Sequence, residues 1–382
     1  MLALNLSDEQ KVLRDMVRDF ATKKLKPIAS QIDETEMIPK EIISEICEFG
    51  LLGAAFPVEY GGSGFGECGY AIIAEEIARV CMSTATFIGA HVSIASNSIY
   101  VAGNEEQKLK YLTPLATGEK IGAFALTESQ AGSDAFNVLT HAELDENTSE
   151  WILNGSKQWI SNAPIADIFI VYARTKRGIS TFIVEKDTKG FTVGPPEKKL
   201  GIRGSQTATL TFEDVRIPKE NLLGAEGRGF LTAMKVLDTG RLGLGAACLG
   251  ACKELLNMSV QYSKERKQFN ESISSFQAIQ FMLAEMQTLI YQVESIVYRT
   301  ATLYDEGKMT TRHAAIVKLA ASEALDKCAD YAMQIYGGAG YSKEYPIERY
   351  YRDARINRIF EGTSEIQKIV IAHDLLKKGE LK

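Results

Sequence analysis

One carboxylate near the C-terminus has neighbours of the kind that acid–base chemistry needs. Glu361 is followed by Gly362, Thr363 and Ser364, and then by apolar residues at helical spacing. Ser364 and Gln367 have the spacing of a capping box, which predicts that a helix begins here. Glu361 would then lie just outside a helix N-terminus, whose unpaired N–H groups can face a ligand. The run predicts a positioned base or an ordinary loop carboxylate, and taken alone it favours the second.

Three further runs combine glycine, hydroxyl or aromatic residues, and each has a ligand-binding and a structural interpretation. Residues 125–134 form a loop rich in hydroxyls and glycine, which suits a polar cofactor edge or a closed turn. Trp159 and Ser161 could pack on a flat ring and donate a hydrogen bond, or belong to a core strand. The glycines of 337–340 could let a ligand approach the backbone, or simply end a helix. The structural interpretation is favoured for each run alone.

Size and composition indicate a globular protein with more than one domain. The 382-residue chain is long enough for two or three domains, and its 45% hydrophobic and 24% charged residues are ordinary for such proteins. A net charge of −6 argues against a nucleic-acid-binding surface. The first residues lack the basic segment of a signal or transit peptide, and no apolar run approaches a membrane span. We therefore expect a cytoplasmic protein.

Cysteine and histidine spacing predicts neither a metal site nor disulfide bonds. The six cysteines form no CxxC pair, and the four histidines show no HExxH spacing. Cys248 and Cys252 would share a helix face, but no histidine is near them in sequence. We expect reduced, mostly buried thiols.

The first two segments of the chain differ in their predicted secondary structure. Residues 1–118 carry helical patterns, which begin with a capping box at Ser7 and Gln10. Residues 119–226 contain short β-branched runs separated by turn residues, typical of a small barrel or sandwich. Within them, Asn154-Gly155 between two apolar runs predicts a hairpin turn.

The third segment, residues 227–382, predicts long packed helices. It is rich in Ala, Leu, Glu, Lys and Met, and it contains no proline before Pro346. The order is therefore helices, sheet, helices rather than alternating βαβ units. No strand is followed by GxGxxG and no GxxxxGK[ST] run occurs, which argues against a Rossmann or P-loop nucleotide site.

Six runs occur together and in one order, and jointly they resemble the acyl-CoA dehydrogenase family. They are LTESQAGSD, KQWISN, LDTGR, KERKQF, QIYGGAGYSKEYPIERYYRDARI and IFEGTSEIQ. The resemblance covers essentially the whole chain and is strongest to the bacterial short-chain, butyryl-CoA-like type. It implies an α+β multidomain fold with an N-terminal helical domain, a middle β-barrel domain and a C-terminal four-helix bundle. It also implies a homotetramer built as a dimer of dimers.

The resemblance further implies non-covalent FAD and the residues that contact it and the substrate. FAD contacts are implied for Phe124, Leu126, Thr127, Gly132, Ser133, Trp159, Ile160, Ser161, Thr363 and Glu365. Contacts with the FAD of a neighbouring subunit are implied for Arg266, Gln277, Gln334, Gly337 and Gly338, and a contact with FAD is implied for Phe269. Substrate contacts are implied for Ser133, Asp238, Arg241 and Gly362.

Glu361 is the base that the resemblance implies. Some relatives carry the base immediately before the arginine of the DxxR run, where this chain has Gly240. Exclusion of water would raise the pKa of Glu361, and its backbone N–H is expected to bind the thioester oxygen. His91 lies in a segment that lines the acyl tail in relatives, so it could contact an unusual acyl group or be structural, and the structural role is favoured.

The implied activity is α,β-dehydrogenation of a short-chain or small branched or cyclic acyl-CoA, with electrons passed to an electron-transfer flavoprotein. Three alternatives stay open: an enoyl-CoA reductase that runs the same chemistry backwards, an oxidase of the same fold, and a non-catalytic scaffold. Acyl chain length and branching are not indicated by these motifs.

Overall fold

The structure is a computed structural model that describes residues 6–378. Its first helical segment consists of α1 (Asp8–Phe20), α2 (Ala29–Thr35), α3 (Lys40–Glu48), α4 (Gly66–Ala78), α5 (Met82–Gly89), α6 (Asn97–Ala102), α7 (Glu105–Gln107) and α8 (Thr113–Ala116). The capping box predicted at Ser7 and Gln10 is confirmed. The Gln10 N–H donates to the Ser7 hydroxyl at 3.2 Å, and the Ser7 N–H donates to the Gln10 side-chain oxygen at 3.1 Å.

A π-helical stretch, Ala90–Ser96, joins α5 to α6. Such wide turns are rare, displace side chains from the α-helical register, and are frequent at functional sites. This stretch packs between the start of the sheet and the second helical segment. Ser93 and Ile94 lie on it, and both face the cavity described below.

The middle segment forms one mixed sheet. Its strands are β1 (Gly122–Ala125), β2 (His141–Asp145), β3 (Glu150–Ser161), β4 (Ile168–Thr175), β5 (Gly178–Glu185), β6 (Phe191–Val193), β7 (Thr207–Pro218) and β8 (Leu222–Leu223). The order is β6-β7-β3-β2-β4-β5-β8, and β1 pairs in parallel with β4. The predicted β domain is confirmed. Within residues 6–378 no ladder joins β6 to β8, so the predicted barrel is open along that seam.

The hairpin turn predicted at Asn154-Gly155 is wrong. These two residues lie inside β3, whose register against β7 shifts between Leu153 and Gly155. The backbone of Gly155 has a φ of 139°, and a Cβ there would lie 2.7 Å from the Thr140 Cα. The Asn-Gly pair therefore forms a bulge beneath the neighbouring chain segment, while the turn between β2 and β3 falls at 146–149.

The second helical segment is built on long helices, as predicted. It contains α9 (Gly229–Glu265), α10 (Gln277–Asp305), α11 (Thr311–Tyr336), α12 (Gly338–Tyr341), α13 (Ile347–Ile356) and α14 (Ser364–Lys378), with the two-residue strands β9 (Lys267–Gln268) and β10 (Glu271–Ser272) between α9 and α10. Helix α9 packs against α4, α10 and α11. It approaches α4 closely because Gly250 has no side chain, since a Cβ there would lie 2.0 Å from the Glu75 carbonyl oxygen. The rings of Tyr262 and Tyr336 stack at 4.0 Å, which brings the C-terminal ends of α9 and α11 together.

The predicted helix–sheet–helix architecture is confirmed. The proposed domain boundaries at 118/119 and 226/227 lie in the connections between α8 and β1 and between β8 and α9. Among residues 6–378, no helix combines the length and apolar character that crossing a bilayer requires.

Candidate active site

A cavity of about 390 Å³, called the central cavity below, lies where the three segments meet. Its walls come from α4, α5 and the π-helical stretch, from β1 and β3, and from α9 and the loop before α14. The FAD contacts predicted within residues 124–161 all line it, namely Phe124, Leu126, Thr127, Gly132, Ser133, Trp159, Ile160 and Ser161. Glu361, Gly362 and Arg241 line it as well. Its size is in the range of about 300–1,000 Å³ that small-molecule sites occupy.

One oxygen of the Glu361 carboxylate has no hydrogen-bond partner within residues 6–378. Its Oε2 atom is buried and forms no hydrogen bond with any residue in the described chain. Burial raises the pKa of Glu361 to about 7, although the nearby charges of Arg241 and Lys318 act to lower it. A carboxylate with this pKa is both more basic than an exposed one and still available in its charged form near neutral pH.

Gly240 provides the space that the carboxylate occupies. A Cβ at this position of α9 would lie 2.7 Å from Glu361 Oε2 and 2.9 Å from Ile94 Cγ2. Any side chain at Gly240 would therefore displace the Glu361 carboxylate. The structure thus brings together the two alternative base positions considered from the sequence, and only Glu361 carries an acid.

Three side chains hold the backbone that carries Glu361. Glu361 has a left-handed backbone with a φ of 55°, which is unusual for a residue with a side chain. Its carbonyl oxygen accepts hydrogen bonds from Arg241 Nε at 3.2 Å and from Gln367 Nε2 at 3.1 Å. The buried Lys318 donates to the Gly362 carbonyl oxygen at 2.7 Å. These bonds offset the backbone strain and orient the carboxylate toward the cavity.

The helix cap predicted at Ser364 is one residue too late. Helix α14 begins at Ser364, and the Thr363 hydroxyl accepts a hydrogen bond from the Ile366 N–H at 3.3 Å, so Thr363 is the capping residue. The Gln367 side chain does not complete a capping box, because it donates to the carbonyl oxygens of Glu361 and Gly362. Its position near the helix start was predicted, but its hydrogen bonds to the loop that carries Glu361 were not.

A buried ion pair connects the two runs that line the sheet side of the central cavity. Lys157 is fully buried, and its ammonium donates to Glu128 Oε1 at 2.7 Å and to the Leu126 carbonyl oxygen at 3.1 Å. Burial acts to raise the pKa of Glu128, but the charge and hydrogen bond of Lys157 outweigh it and lower that pKa to about 2. The Gln158 N–H also donates to the Thr127 carbonyl oxygen at 2.9 Å. The loop at 126–128 and the end of β3 are thus held as one unit.

The sheet side of the central cavity fits a flat ring with polar edges. Trp159 has a left-handed backbone with a φ of 56°, and its indole is 55% exposed on the cavity wall. The hydroxyls of Thr127 and Ser161 line the same side, and a Cβ at Gly132 would meet nothing within 4 Å. An aromatic wall, hydroxyl donors and bare backbone match the isoalloxazine ring of FAD. These residues therefore fit the cofactor that the motifs imply.

The remaining predicted contacts lie away from the central cavity. Thr363, Glu365 and Asp238 do not line it, and both Asp238 carboxylate oxygens are bound, one by Arg241 at 2.8 Å and the other by Thr311 at 2.6 Å. Phe269 and the residues assigned to a neighbouring subunit's FAD are exposed at the end of the bundle where α9 and α11 end and α10 begins: Arg266, Phe269, Gln277, Gln334, Gly337 and Gly338. The structure groups these six together but outside the cavity of their own chain.

His91 occupies a structural position. It is fully buried, does not line the central cavity, and bridges two backbone segments. Its Nδ1 accepts from the Gly122 N–H at 3.0 Å, so Nε2 carries the proton and donates to the Leu115 carbonyl oxygen at 3.0 Å. Burial lowers the pKa of His91 to about 4. The acyl contact considered from the sequence has no support in this geometry.

We expect His91→Leu to destabilise the fold without changing substrate preference. The variant leaves the Gly122 N–H buried without its partner, at about 1–3 kcal/mol, and removes one of the hydrogen bonds that the Leu115 carbonyl accepts, although the Gly118 N–H still donates to that carbonyl at 3.1 Å. Because the folded-state pKa lies below the ordinary value of 6.5, wild-type stability should fall as pH drops from about 6.5 toward about 4, and the variant should lose that dependence. Urea unfolding at several pH values tests both points, with the exposed His141→Leu as control. An altered acyl-chain preference in His91→Leu would contradict the structural role.

Known protein families match the chain in all three segments. The N-terminal, middle and C-terminal domain models of acyl-CoA dehydrogenases match residues 7–119, 123–215 and 227–376. The chain belongs to the acyl-CoA dehydrogenase family. The predicted resemblance is confirmed, and as a member of this family the chain is an FAD-dependent oxidoreductase that acts on CH–CH groups.

Two curated relatives illustrate the range of the family. The short-chain specific acyl-CoA dehydrogenase of Clostridium acetobutylicum is 45% identical over 378 residues, which cover 98% of this chain and 99% of the relative. The acryloyl-CoA reductase (NADH) of Anaerotignum propionicum is 44% identical over 379 residues, which cover 98% and 96%. The chain is therefore of the short-chain type, and both directions of the reaction are named among its relatives.

Three solved structures share the fold. Butyryl-CoA dehydrogenase from Megasphaera elsdenii superposes with a TM-score of 0.95 at 43% identity, covering 98% of this chain and 100% of that one. A chain from a structure of the electron transferring flavoprotein of Acidaminococcus fermentans gives 0.96 at 44% identity, covering 99% and 100%. An acyl-CoA dehydrogenase complexed with FAD from Bacillus anthracis gives 0.94 at 41% identity, covering 99% and 68%.

Several residues of the site were not predicted from the sequence. Lys318 lies on the buried side of α11 near Ala314 and Ala321, and a lysine inside an apolar helical stripe was the available signal. The pairing of Glu128 with Lys157 had no local signal, because 29 residues separate them and nothing in either run indicates that they meet.

Proposed function

We propose that the chain dehydrogenates a short-chain acyl-CoA to the 2-enoyl-CoA, with Glu361 as the base that removes the α-proton. The observation that carries this proposal is the buried Oε2 atom of Glu361, which has no partner in the described chain and lies beside Gly240, in a cavity whose other wall fits FAD. A buried carboxylate without a partner is costly to fold, so its presence is best explained by a reaction that needs it.

The residues of this chain supply the base, its orientation and the electrophilic support. Glu361 takes the α-proton, and its burial makes it a stronger base than an exposed glutamate. The Glu361 N–H makes no hydrogen bond to another residue in the described chain, so it is free to bind the thioester oxygen as negative charge develops. FAD held against Thr127, Trp159 and Ser161 would supply the acceptor for the hydride of the β-carbon. Arg241, Lys318 and Gln367 keep the base in place by holding the loop carbonyls.

Anaerobic mixing of the purified protein with a panel of saturated acyl-CoAs tests the proposal. We expect bleaching of the oxidised flavin by short acyl-CoAs, together with formation of the matching 2-enoyl-CoA in equal amount. Absence of bleaching with every saturated thioester, in protein that carries FAD, would contradict it. Purified protein that binds no flavin would favour the non-catalytic scaffold.

An enoyl-CoA reductase is the second candidate, and the acryloyl-CoA reductase relative favours it. The same base would then return a proton to the α-carbon. Anaerobic addition of a 2-enoyl-CoA to the chemically reduced protein measures this direction. Faster flavin reoxidation by the enoyl-CoA than reduction by the saturated thioester would support the reductase.

We also propose a homotetramer that passes electrons to an electron-transfer flavoprotein. The exposed group at the end of the bundle supports the assembly, because Phe269 is 89% exposed and its neighbours are the residues implied to reach a second FAD. Trp159 is half-exposed on the cavity wall that fits FAD, and this exposure supports transfer of electrons from the flavin to a partner protein. Light scattering at several protein concentrations measures the number of subunits in the assembly. A cytoplasmic location is a further prediction.

The rate should depend on pH through the ionisation of Glu361. Because the base acts as a carboxylate with a pKa of about 7, kcat/KM should rise as pH increases through about 7 and level off above it. Lys318→Met removes a positive charge that lowers this pKa, so the rise should move to higher pH. Lys308→Met, at an exposed lysine beyond α10, is the matched control and should leave the profile unchanged. A flat profile between about pH 5 and about pH 9 would contradict the assignment of the base.

A further inference from the structure

We infer that Tyr70 limits the acyl chain to four or five carbons by closing the end of the central cavity. The inference rests on the function proposed above and specifies its substrate. Tyr70 lies on α4, is 1% exposed and lines the central cavity. Its phenol ring is therefore a wall of the substrate space rather than a surface group.

Because Gly243 and Gly89 have no side chains, the Tyr70 side chain packs directly against two helix backbones and has no space to move. A Cβ at Gly243 of α9 would lie 2.5 Å from Tyr70 Cε1 and 3.1 Å from its hydroxyl oxygen. A Cβ at Gly89 of α5 would lie 3.3 Å from the same oxygen. The ring is thus packed directly against the backbones of two helices. In a close-packed interior it cannot shift to admit a longer chain.

The spacing along α9 gives the length of the available space. Gly240 faces the Glu361 carboxylate, and Gly243 faces the Tyr70 ring three residues further along the same helix. Three residues of α-helix rise about 4.5 Å. Counting from an α-carbon beside Glu361, this distance holds about three further C–C bonds of about 1.5 Å each. A chain of four or five carbons fills the space, and a sixth carbon would meet the ring.

The other walls near Tyr70 indicate an apolar chain. Ala85, Ala90, Leu244 and Ala247 line the central cavity and carry no polar side-chain atoms. The polar side chain beside the Tyr70 hydroxyl is Ser93, because a Cβ at Gly243 would lie 3.1 Å from that hydroxyl and 3.2 Å from Ser93 Oγ. Chain length would therefore be selected by contact with the Tyr70 ring, not by a hydrogen bond to its hydroxyl. The variants Tyr70→Ala and Tyr70→Phe separate these two possibilities, because only the first removes the ring.

The test compares kcat/KM for butyryl-, hexanoyl- and octanoyl-CoA, together with the affinity of each protein for the corresponding 2-enoyl-CoAs. In the wild type we expect a steep fall beyond five carbons, because one methylene in an apolar pocket changes kcat/KM by roughly 10–200-fold. Tyr70→Ala should raise both kcat/KM and enoyl-CoA affinity for the eight-carbon chain by at least ~10-fold. Tyr70→Phe should keep the wild-type limit.

Each outcome decides the inference. Octanoyl-CoA used by the wild type as well as butyryl-CoA would overturn it without any variant, and so would a Tyr70→Ala protein that keeps the wild-type limit. If Tyr70→Ala does not fold, Tyr70→Leu, with a smaller loss of volume, replaces it and carries the same expectation. Failure of the proposed function looks different, since no saturated acyl-CoA of any length would then reduce the flavin.

Discussion

Glu361→Gln should lose flavin reduction by acyl-CoA while keeping bound FAD and affinity for 2-enoyl-CoA. The substitution keeps the shape of the side chain but removes the proton acceptor. A positioned base contributes ~10²–10⁴-fold, so single-turnover reduction should slow by that factor. Stopped-flow absorbance under anaerobic conditions measures it. Glu143→Gln, at an exposed carboxylate on β2, is the matched control and should reduce at the wild-type rate.

The same variant should be more stable than the wild type above neutral pH. Because burial raises the pKa of Glu361 from 4.5 to about 7, the ionised carboxylate costs folding free energy above pH 7, up to about 3 kcal/mol, and costs nothing below about pH 4.5. Glutamine is neutral at every pH. Urea unfolding should therefore show a larger free energy of unfolding for Glu361→Gln at pH 8, and a smaller difference at pH 5. A difference in unfolding free energy between the two proteins that does not change with pH would contradict the raised pKa of Glu361.

Lys157→Met should destabilise the protein and weaken FAD binding. The change leaves the Glu128 carboxylate buried without its counter-ion, and removal of one member of a buried pair typically costs about 3–5 kcal/mol. The loop at 126–128 and the end of β3 would lose their shared support, so the FAD dissociation constant should rise. Denaturant unfolding of the apoprotein and FAD titration measure the two effects separately.

The double variant Glu128→Gln/Lys157→Met is the control for an unpaired charge. It removes both charges, so it should recover part of the stability that Lys157→Met loses. The glutamine keeps an oxygen for the Thr140 N–H, which donates to Glu128 Oε1 at 3.0 Å. The Glu128 Oε2 atom also accepts from the Leu139 N–H at 2.6 Å and from Gln130 Nε2 at 2.7 Å, and the glutamine cannot keep these bonds, so the recovery should be partial. A double variant as unstable as Lys157→Met alone would show that the unpaired charge is not the main cause of the loss.

The parts of the site that the sequence predicted are short contiguous runs. Trp159, Ile160 and Ser161 are adjacent, so one motif places them on one strand end, and the structure puts all three on the cavity wall. The long helices of 227–382 were also predicted, because apolar periodicity and the absence of proline before Pro346 are local properties of the sequence.

The parts that the sequence did not predict depend on contacts between distant segments. Asn154-Gly155 has hairpin composition, but its position beneath Thr140 makes it a bulge inside β3. Gln367 has the spacing of a capping residue, yet the strained loop at Glu361 offers carbonyl oxygens that compete for its amide. The role of Tyr70 follows only from the glycines that surround it on two other helices. Such choices are made by packing and not by local propensity.

In the proposed reaction, Glu361 removes an α-proton from a short-chain acyl-CoA as this chain oxidises the thioester. The most direct measurement is single-turnover flavin reduction by saturating butyryl-CoA that carries deuterium at both α-positions. We expect slower reduction than with unlabelled butyryl-CoA, a 2-enoyl product that retains one deuterium at the α-carbon, and no comparable reduction in Glu361→Gln. A rate in Glu361→Gln close to that of the wild type, with the same sensitivity to α-deuterium, would contradict it.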